Sequence, residues 1–221
     1  MKRYLLIAMA CLWTAAELGA AIVAGKVTFV TKRGQKPVVN ETLVWLDCIG
    51  PKPQPKKPAP LQVTTRAKTL LPHVMAIPAG STITFPNEDP ISHNLFSLAP
   101  GNTFDLGLYR KGTGKSHTFA NPGVVNVYCN VHPTMSAVVH VMSTPYYCFT
   151  DAAGTYRLDV PPGKYRVTAW NEQGGTVSSD ITVAADGGIV GATALTIDGR
   201  NYRFNQHTNK FGKTYQPPKD Y

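Results

Sequence analysis

Val124-Val-Asn-Val-Tyr-Cys129-Asn-Val-His132-Pro-Thr-Met135 opens as a β-branched, aromatic run and closes on a thiol, an imidazole and a thioether at even spacing. Ala137-Val-Val-His-Val141 then resumes the strand character, so the segment reads as strand, short loop, strand. A further imidazole, His93, stands upstream in Asn87-Glu-Asp-Pro-Ile-Ser-His-Asn94. A thiolate, two imidazoles and a thioether are the donor set of a type 1 copper electron-transfer site. Zinc sites draw on Cys, His and carboxylates, and a thioether suits them poorly. The expected metal ligands are therefore His93, Cys129, His132 and Met135, around one type 1 copper ion.

Each residue type has a reason. The Cys129 thiolate would make the strong covalent bond, and His93 and His132 would complete a trigonal plane that suits both Cu(I) and Cu(II). Met135 would give the long axial contact that favours Cu(I). Such a site is filled, with no open position for substrate. Two plainer readings stand beside it. Cys129 could be half of a disulfide with Cys48 or Cys148, which would leave the His and Met spacing to chance. Met135 could be core packing, leaving a three-ligand site. His73, His117, His140 and His207 are read as structural or surface residues, with His140 on a strand facing solvent.

Outward from the loop, nearly everything reads as strand and turn. Gly (19) and Pro (18) punctuate the chain too often for a long amphipathic helix. Lys26-Val-Thr-Phe-Val30 and Thr42-Leu-Val-Trp-Leu46 are strand candidates. Pro51-Lys-Pro-Gln-Pro-Lys-Lys-Pro-Ala-Pro60 is an extended spacer. Short strands resume at Gln62 and recur at close intervals, the pattern of β-sandwiches. The polar, aromatic tail 199–221 has no clear period and is expected to drape over the surface or stay partly disordered.

Residues 1–21 read as a cleaved secretory signal: Lys2-Arg3, an apolar run to Ala16, then Gly19-Ala-Ala21. Acylation at Cys11 would need a longer apolar stretch before it. No other segment has the length of a membrane span, so the mature chain is expected to lack an integral membrane segment and to be periplasmic or extracellular. Of the four cysteines, Cys11 leaves with the leader and the metal claims Cys129. Cys48 and Cys148 remain as a candidate disulfide in an oxidising compartment. The formal charge of +9 falls to about +8 once Lys2, Arg3 and Glu17 are lost. A basic surface favours an acidic partner. The cations are scattered, which argues against nucleic acid.

Residues 61–142 resemble the cupredoxins, through Phe85-Pro-Asn-Glu-Asp-Pro-Ile-Ser-His-Asn94 and Cys129-x-x-His132-x-x-Met135, the latter in the short spacing of amicyanin. Leu71-Pro72 followed by Pro78-Ala-Gly80 is similar to that family's opening hairpin. The resemblance implies a Greek-key β-sandwich, an Asn94 hydrogen bond across to the Cys129 loop that locks the two ligand segments together, and electron exit at the His132 edge. Residues 144–198 resemble the carboxypeptidase regulatory-like, transthyretin-like sandwich, through Thr150-Asp-Ala-Ala-Gly-Thr-Tyr156 and Val160-Pro-Pro-Gly-Lys-Tyr-Arg-Val167. That family's opening strands would be Gly25-Lys-Val27 and Leu43-Val-Trp-Leu46. The expected organisation is an all-β chain whose copper domain, 61–143, follows the linker 51–60 and interrupts a second sandwich made of 25–50 and 144–198. Cys48 and Cys148 would then face each other across the insertion. A plain tandem, with the first strands added to the copper domain, is the alternative.

No catalytic constellation, phosphate loop or second copper motif is visible, so an enzyme is not expected. The expected function is one-electron transfer with a redox partner protein that offers an acidic docking surface. The alternatives are a copper storage or delivery protein, and a surface binding or adhesion module.

Overall fold

The computed structural model describes residues 21–185, 189–191 and 194–215. The expected leader, with Cys11, lies outside them except for Ala21. That residue is fully buried in a strand opposite Val160.

Among the described residues the structure is β throughout, apart from a 3-10 turn at Val39–Glu41. The chain first lays down β1 (Ala21–Val30) and β2 (Leu43–Cys48). Ten strands follow. They are β3 (Pro60–Gln62), β4 (Thr64–Arg66), β5 (Thr69–Leu71), β6 (Val74–Pro78) and β7 (Ser81–Asn87), then β8 (Leu95–Ser97), β9 (Phe104–Asp105), β10 (Gly112–Phe119), β11 (Gly123–Cys129) and β12 (Ser136–Met142). The last six are β13 (Tyr147–Phe149), β14 (Thr155–Val160), β15 (Gly163–Asn171), β16 (Gly175–Val183), β17 (Ile189–Gly191) and β18 (Leu195–Asp198).

β3 to β12 make two five-stranded sheets, one ordered β10-β7-β4-β5 with β3 also on β7, the other β6-β12-β11-β8-β9. Alternation along the strands builds their shared core. Ile83 and Phe85 of β7 and Val125, Val127 and Cys129 of β11 all point inward, against Phe119, Leu95 and Val139. Each large apolar side chain so enclosed is worth about 1.5–3 kcal/mol over exposure. β1 and β2 pair instead with strands at the far end of the chain, in sheets β14-β1-β17 (with β18 on β1) and β13-β2-β15-β16. Their core collects Val23, Leu46, Tyr156, Tyr165, Val167 and Ile197. The spacer carries no strand until Pro60, which enters β3, and Lys56 sits 4.2 Å over the Tyr147 ring. The two ends of the β3–β12 span meet at one turn. The Ala59 N–H donates to Ser81 Oγ (3.2 Å) and the Ala79 N–H to the Met142 carbonyl (3.1 Å).

Two histidines lie where the sandwiches touch. His140 does not face solvent as its strand position suggested. It is 4% exposed, with its ring centroid 4.3 Å from that of Trp170 and 6.2 Å from that of Trp45. Ala137, Val139 and Val141 face their own core, and β2 and β15 bring tryptophans over the opposite face of β12, where His140 points. Burial pushes its pKa down to about 4, and its Nε2 has no partner. His73 bridges the same seam, with Nε2 2.7 Å from Glu172 Oε2 and Nδ1 3.0 Å from the Ser136 carbonyl. The Glu172 carboxylate raises its pKa against the opposing effect of burial.

The expected Cys48–Cys148 bond is absent, and both thiols are free. In the β13–β2 register Cys148 lies opposite Val44, four residues along β2 from Cys48. At about 3.3 Å per residue that offset is roughly 13 Å, well beyond the ~7 Å Cα limit for a disulfide. Both side chains pack against the second core, and burial pushes the Cys148 thiol pKa up.

Candidate metal centre

The β11–β12 hairpin pairs Tyr128 with Ser136, so Cys129 to Met135 form the connection between two adjacent strands. The Cys129 N–H closes it on the Met135 carbonyl (3.0 Å), and the Met135 N–H reaches the His132 carbonyl (3.2 Å). His93 arrives from the β7–β8 connection. There the Asn87 side chain caps a tight turn, accepting the Asp89 N–H (2.9 Å) and donating to the Ile91 carbonyl (2.9 Å). His93 then exchanges both main-chain hydrogen bonds with Tyr109.

These paths bring His93, Cys129 and His132 together, with one donor atom from each inside 4.8 Å of the others. Cys129 Sγ is 3.6 Å from His93 Nδ1 and 3.7 Å from His132 Nδ1. A metal–sulfur bond of about 2.3 Å and metal–nitrogen bonds of about 2.0 Å, opened to roughly 120°, set sulfur and nitrogen about 3.7 Å apart. The separations thus fit a shared ion. His93 and Cys129 are fully buried and Met135 is 1% exposed. His132 is half-buried, beside exposed Val131 and Thr134. Burial lowers the His132 pKa, and the nearby Lys68 cation lowers it further.

The surroundings fix these groups. The Val131 N–H points at Cys129 Sγ (3.4 Å). His93 Nε2 lies 3.0 Å from Asp89 Oδ2, a carboxylate–histidine pair that orients the ring and leaves Nδ1 facing Cys129 Sγ. Asp89 also accepts the Ala67 (2.6 Å) and Lys68 (2.9 Å) N–H groups from the β4–β5 turn. Its burial works to raise its pKa, but these donors outweigh it and hold the carboxyl below its ordinary range. Asp89 was not singled out from sequence. The only signal was a carboxylate four residues before a candidate ligand.

Asn94 reaches across to the ligand loop through its main chain. Its carbonyl, not its side chain, reaches the ligand loop, accepting the Asn130 N–H at 2.8 Å. Its amide turns to Asp105 Oδ1 (2.5 Å), a carboxylate that offers a stronger acceptor than any loop carbonyl. The link between the two ligand segments is therefore a main-chain bond. The described part of the tail drapes over the surface, and residues 207–215 lie against the ligand loop, where Tyr215 Oη donates to the Cys129 carbonyl (2.6 Å) and the His207 ring stacks on Tyr128 (4.4 Å, 22°). His117 is a packing residue, stacked on Phe104 at 4.3 Å.

Solved structures similar to part of this chain are cupredoxins, at low identity. One is a purple cupredoxin from Nitrosopumilus maritimus, 26% identical over 37% of this chain and 99% of that one, TM-score 0.34. An oxidised amicyanin variant is 18% identical over 44% of this chain and 99% of its own, TM-score 0.36. A reduced Cu(I) form of another amicyanin variant, at pH 4, is 19% identical over 44% and 98%, TM-score 0.36. No family model and no curated protein matches the chain. Among the described residues, no helix is long and apolar enough to cross a membrane.

Proposed function

We propose that this chain is an exported electron carrier that holds one type 1 copper ion between His93, Cys129, His132 and Met135. The observation that carries this reading is the placement of both imidazole Nδ1 atoms 3.6–3.7 Å from one buried thiol, at the separation a shared ion requires. Copper in such a site supplies a reversible one-electron couple. The protein's part is to keep one geometry for both oxidation states, which needs ligands on a rigid frame. Cys129 and Met135 are anchored at the two ends of a closed hairpin loop, and Asp89 fixes His93. His132 is the ligand nearest solvent and the natural point of electron entry and exit. Lys68 lies near it and gives that end a cation suited to an acidic redox partner. We further propose that 61–143 is a copper domain inserted into a second sandwich formed by 25–50 and 144–198, which serves as its scaffold.

The test is the absorption and EPR spectrum of purified protein given one equivalent of Cu(II). An intense visible thiolate-to-copper band, lost in Cys129→Ser, is expected. A colourless wild-type protein would refute the electron-transfer reading. Tight Cu(I) binding without that band would point to storage or delivery.

A further inference from the structure

The segment after β18 is tied at both ends to different parts of the molecule. At its start the Gly199 N–H donates to the Val30 carbonyl (2.9 Å), and the Gln35 amide donates to the Gly199 carbonyl (3.2 Å). Further on, the His207 N–H donates to the Pro133 carbonyl (3.3 Å), and the Lys210 N–H to Asn130 Oδ1 (3.0 Å). Lys210 Nζ is 2.6 Å from Asp105 Oδ2, the carboxylate that also receives the Asn94 amide. The Asn209 side chain accepts the Phe211 and Lys213 N–H groups (3.0 Å each), which turns the chain back towards the loop. That return delivers Tyr215 Oη to the Cys129 carbonyl. Cys129, Asn130 and Pro133, three of the first five residues of the ligand loop, are thus each gripped by one polar contact from the tail.

We infer that residues 199–215 are a strap belonging to the metal centre, in which His207, Lys210 and Tyr215 are positioning residues for the loop Cys129–Met135. The inference rests on the copper reading for its consequences at the metal, but not for the geometry of the grip. Internal bonds hold the two ends of the loop, Cys129 to Met135 and Met135 to His132. The strap adds contacts along its outer side and carries them back to β1, on the second sandwich. A ligand loop held this way keeps its donors in place when the ion is absent and resists their departure when it is present. Supporting contacts one shell beyond metal ligands typically change metal affinity about 10–100-fold.

Two variants test this: a stop after Tyr202, and, in the full chain, the double substitution Tyr215→Phe with Lys210→Met, which removes the Tyr215 Oη contact and the Lys210–Asp105 pair but leaves the main-chain contacts of His207 and Lys210. In copper-free protein, amide hydrogen exchange at Asn130, Val131 and Met135 should speed up in both, while exchange in β14 and β15 stays unchanged. In the copper form, metal loss to a chelator should be about tenfold faster, and the visible band and EPR hyperfine splitting should move. Unchanged loop exchange in the truncated protein would overturn the strap. If wild-type protein shows no blue copper, the copper reading fails, and the exchange comparison still decides the strap. If the truncated protein does not fold, the double variant alone decides it.

Discussion

Asp89→Asn probes how the buried carboxylate acts on the site. Asp89 Oδ2 is 3.0 Å from His93 Nε2, and both side chains are almost wholly enclosed. With the width of the imidazole and a metal–nitrogen bond of about 2 Å added, the charge lies roughly 7 Å from an ion on Nδ1. At an effective dielectric of about 20 this is about 2.4 kcal/mol, or about 100 mV for one electron. A negative charge stabilises Cu(II) more than Cu(I), so its removal should raise the reduction potential. Asparagine must also present an NH2 where the carboxylate accepts the Ala67 and Lys68 N–H groups. The copper-free variant should therefore lose about 1–3 kcal/mol of stability. Voltammetry of the copper form and denaturant melts of the copper-free form measure the two effects. A potential that stays put or falls, with the visible band intact, would refute the assigned electrostatics.

Three further outcomes are expected. His140 has its pKa lowered to about 4 from an ordinary 6.5, so the unfolded chain takes up a proton first and stability declines as pH falls from 6.5 towards 4. His140→Phe should keep the packing against Trp170 and remove roughly 3 kcal/mol of that decline; an unaltered pH profile in urea melts would count against it. The raised His73 pKa has the opposite sign: its pairing with Glu172 is fully present below about pH 6.5 and is lost as pH rises through the raised value. Glu172→Gln should therefore destabilise more at pH 6 than at pH 9, and equal losses would contradict the pairing. Finally, a non-reduced digest should contain Cys48 and Cys148 as separate alkylated peptides, and recovery of a cross-linked pair would overturn the β13–β2 register.

The grouping of His93, Cys129 and His132 was legible because its signal is local: a thiol and an imidazole three residues apart on a loop short enough that strand pairing fixes their directions. The all-β class was legible for the same kind of reason, from turn residues at close intervals. Other features depend on what the rest of the chain brings near. His140 occupies an outward position of β12, and only the arrival of Trp45 and Trp170 from distant strands buries it. Cys48 and Cys148 were paired by elimination, whereas their separation follows from register, which spacing does not reveal. Tyr215, His207 and Lys210 sit in a segment without period, and their role rests on contacts to residues some seventy or more positions away. A hydrogen bond from Asn94 to the loop was legible, but which of its groups makes it depends on Asp105, which takes the side-chain amide.

The meeting of Ala59 and Met142 at the Pro78–Ser81 turn has a bearing on the order of folding. β1 and β2 cannot find β13 to β18 until the whole chain between them exists, and such distant pairings are slow to form. Once β3 to β12 have folded, their ends emerge side by side, and the long connection behaves as a much shorter one. A tenfold shorter effective loop lowers the entropic cost of closure by about 2 kcal/mol. The inner sandwich would then be the template on which the outer one closes, so core lesions near Phe85 or Val127 should slow assembly of both, whereas lesions near Val167 should spare the inner one.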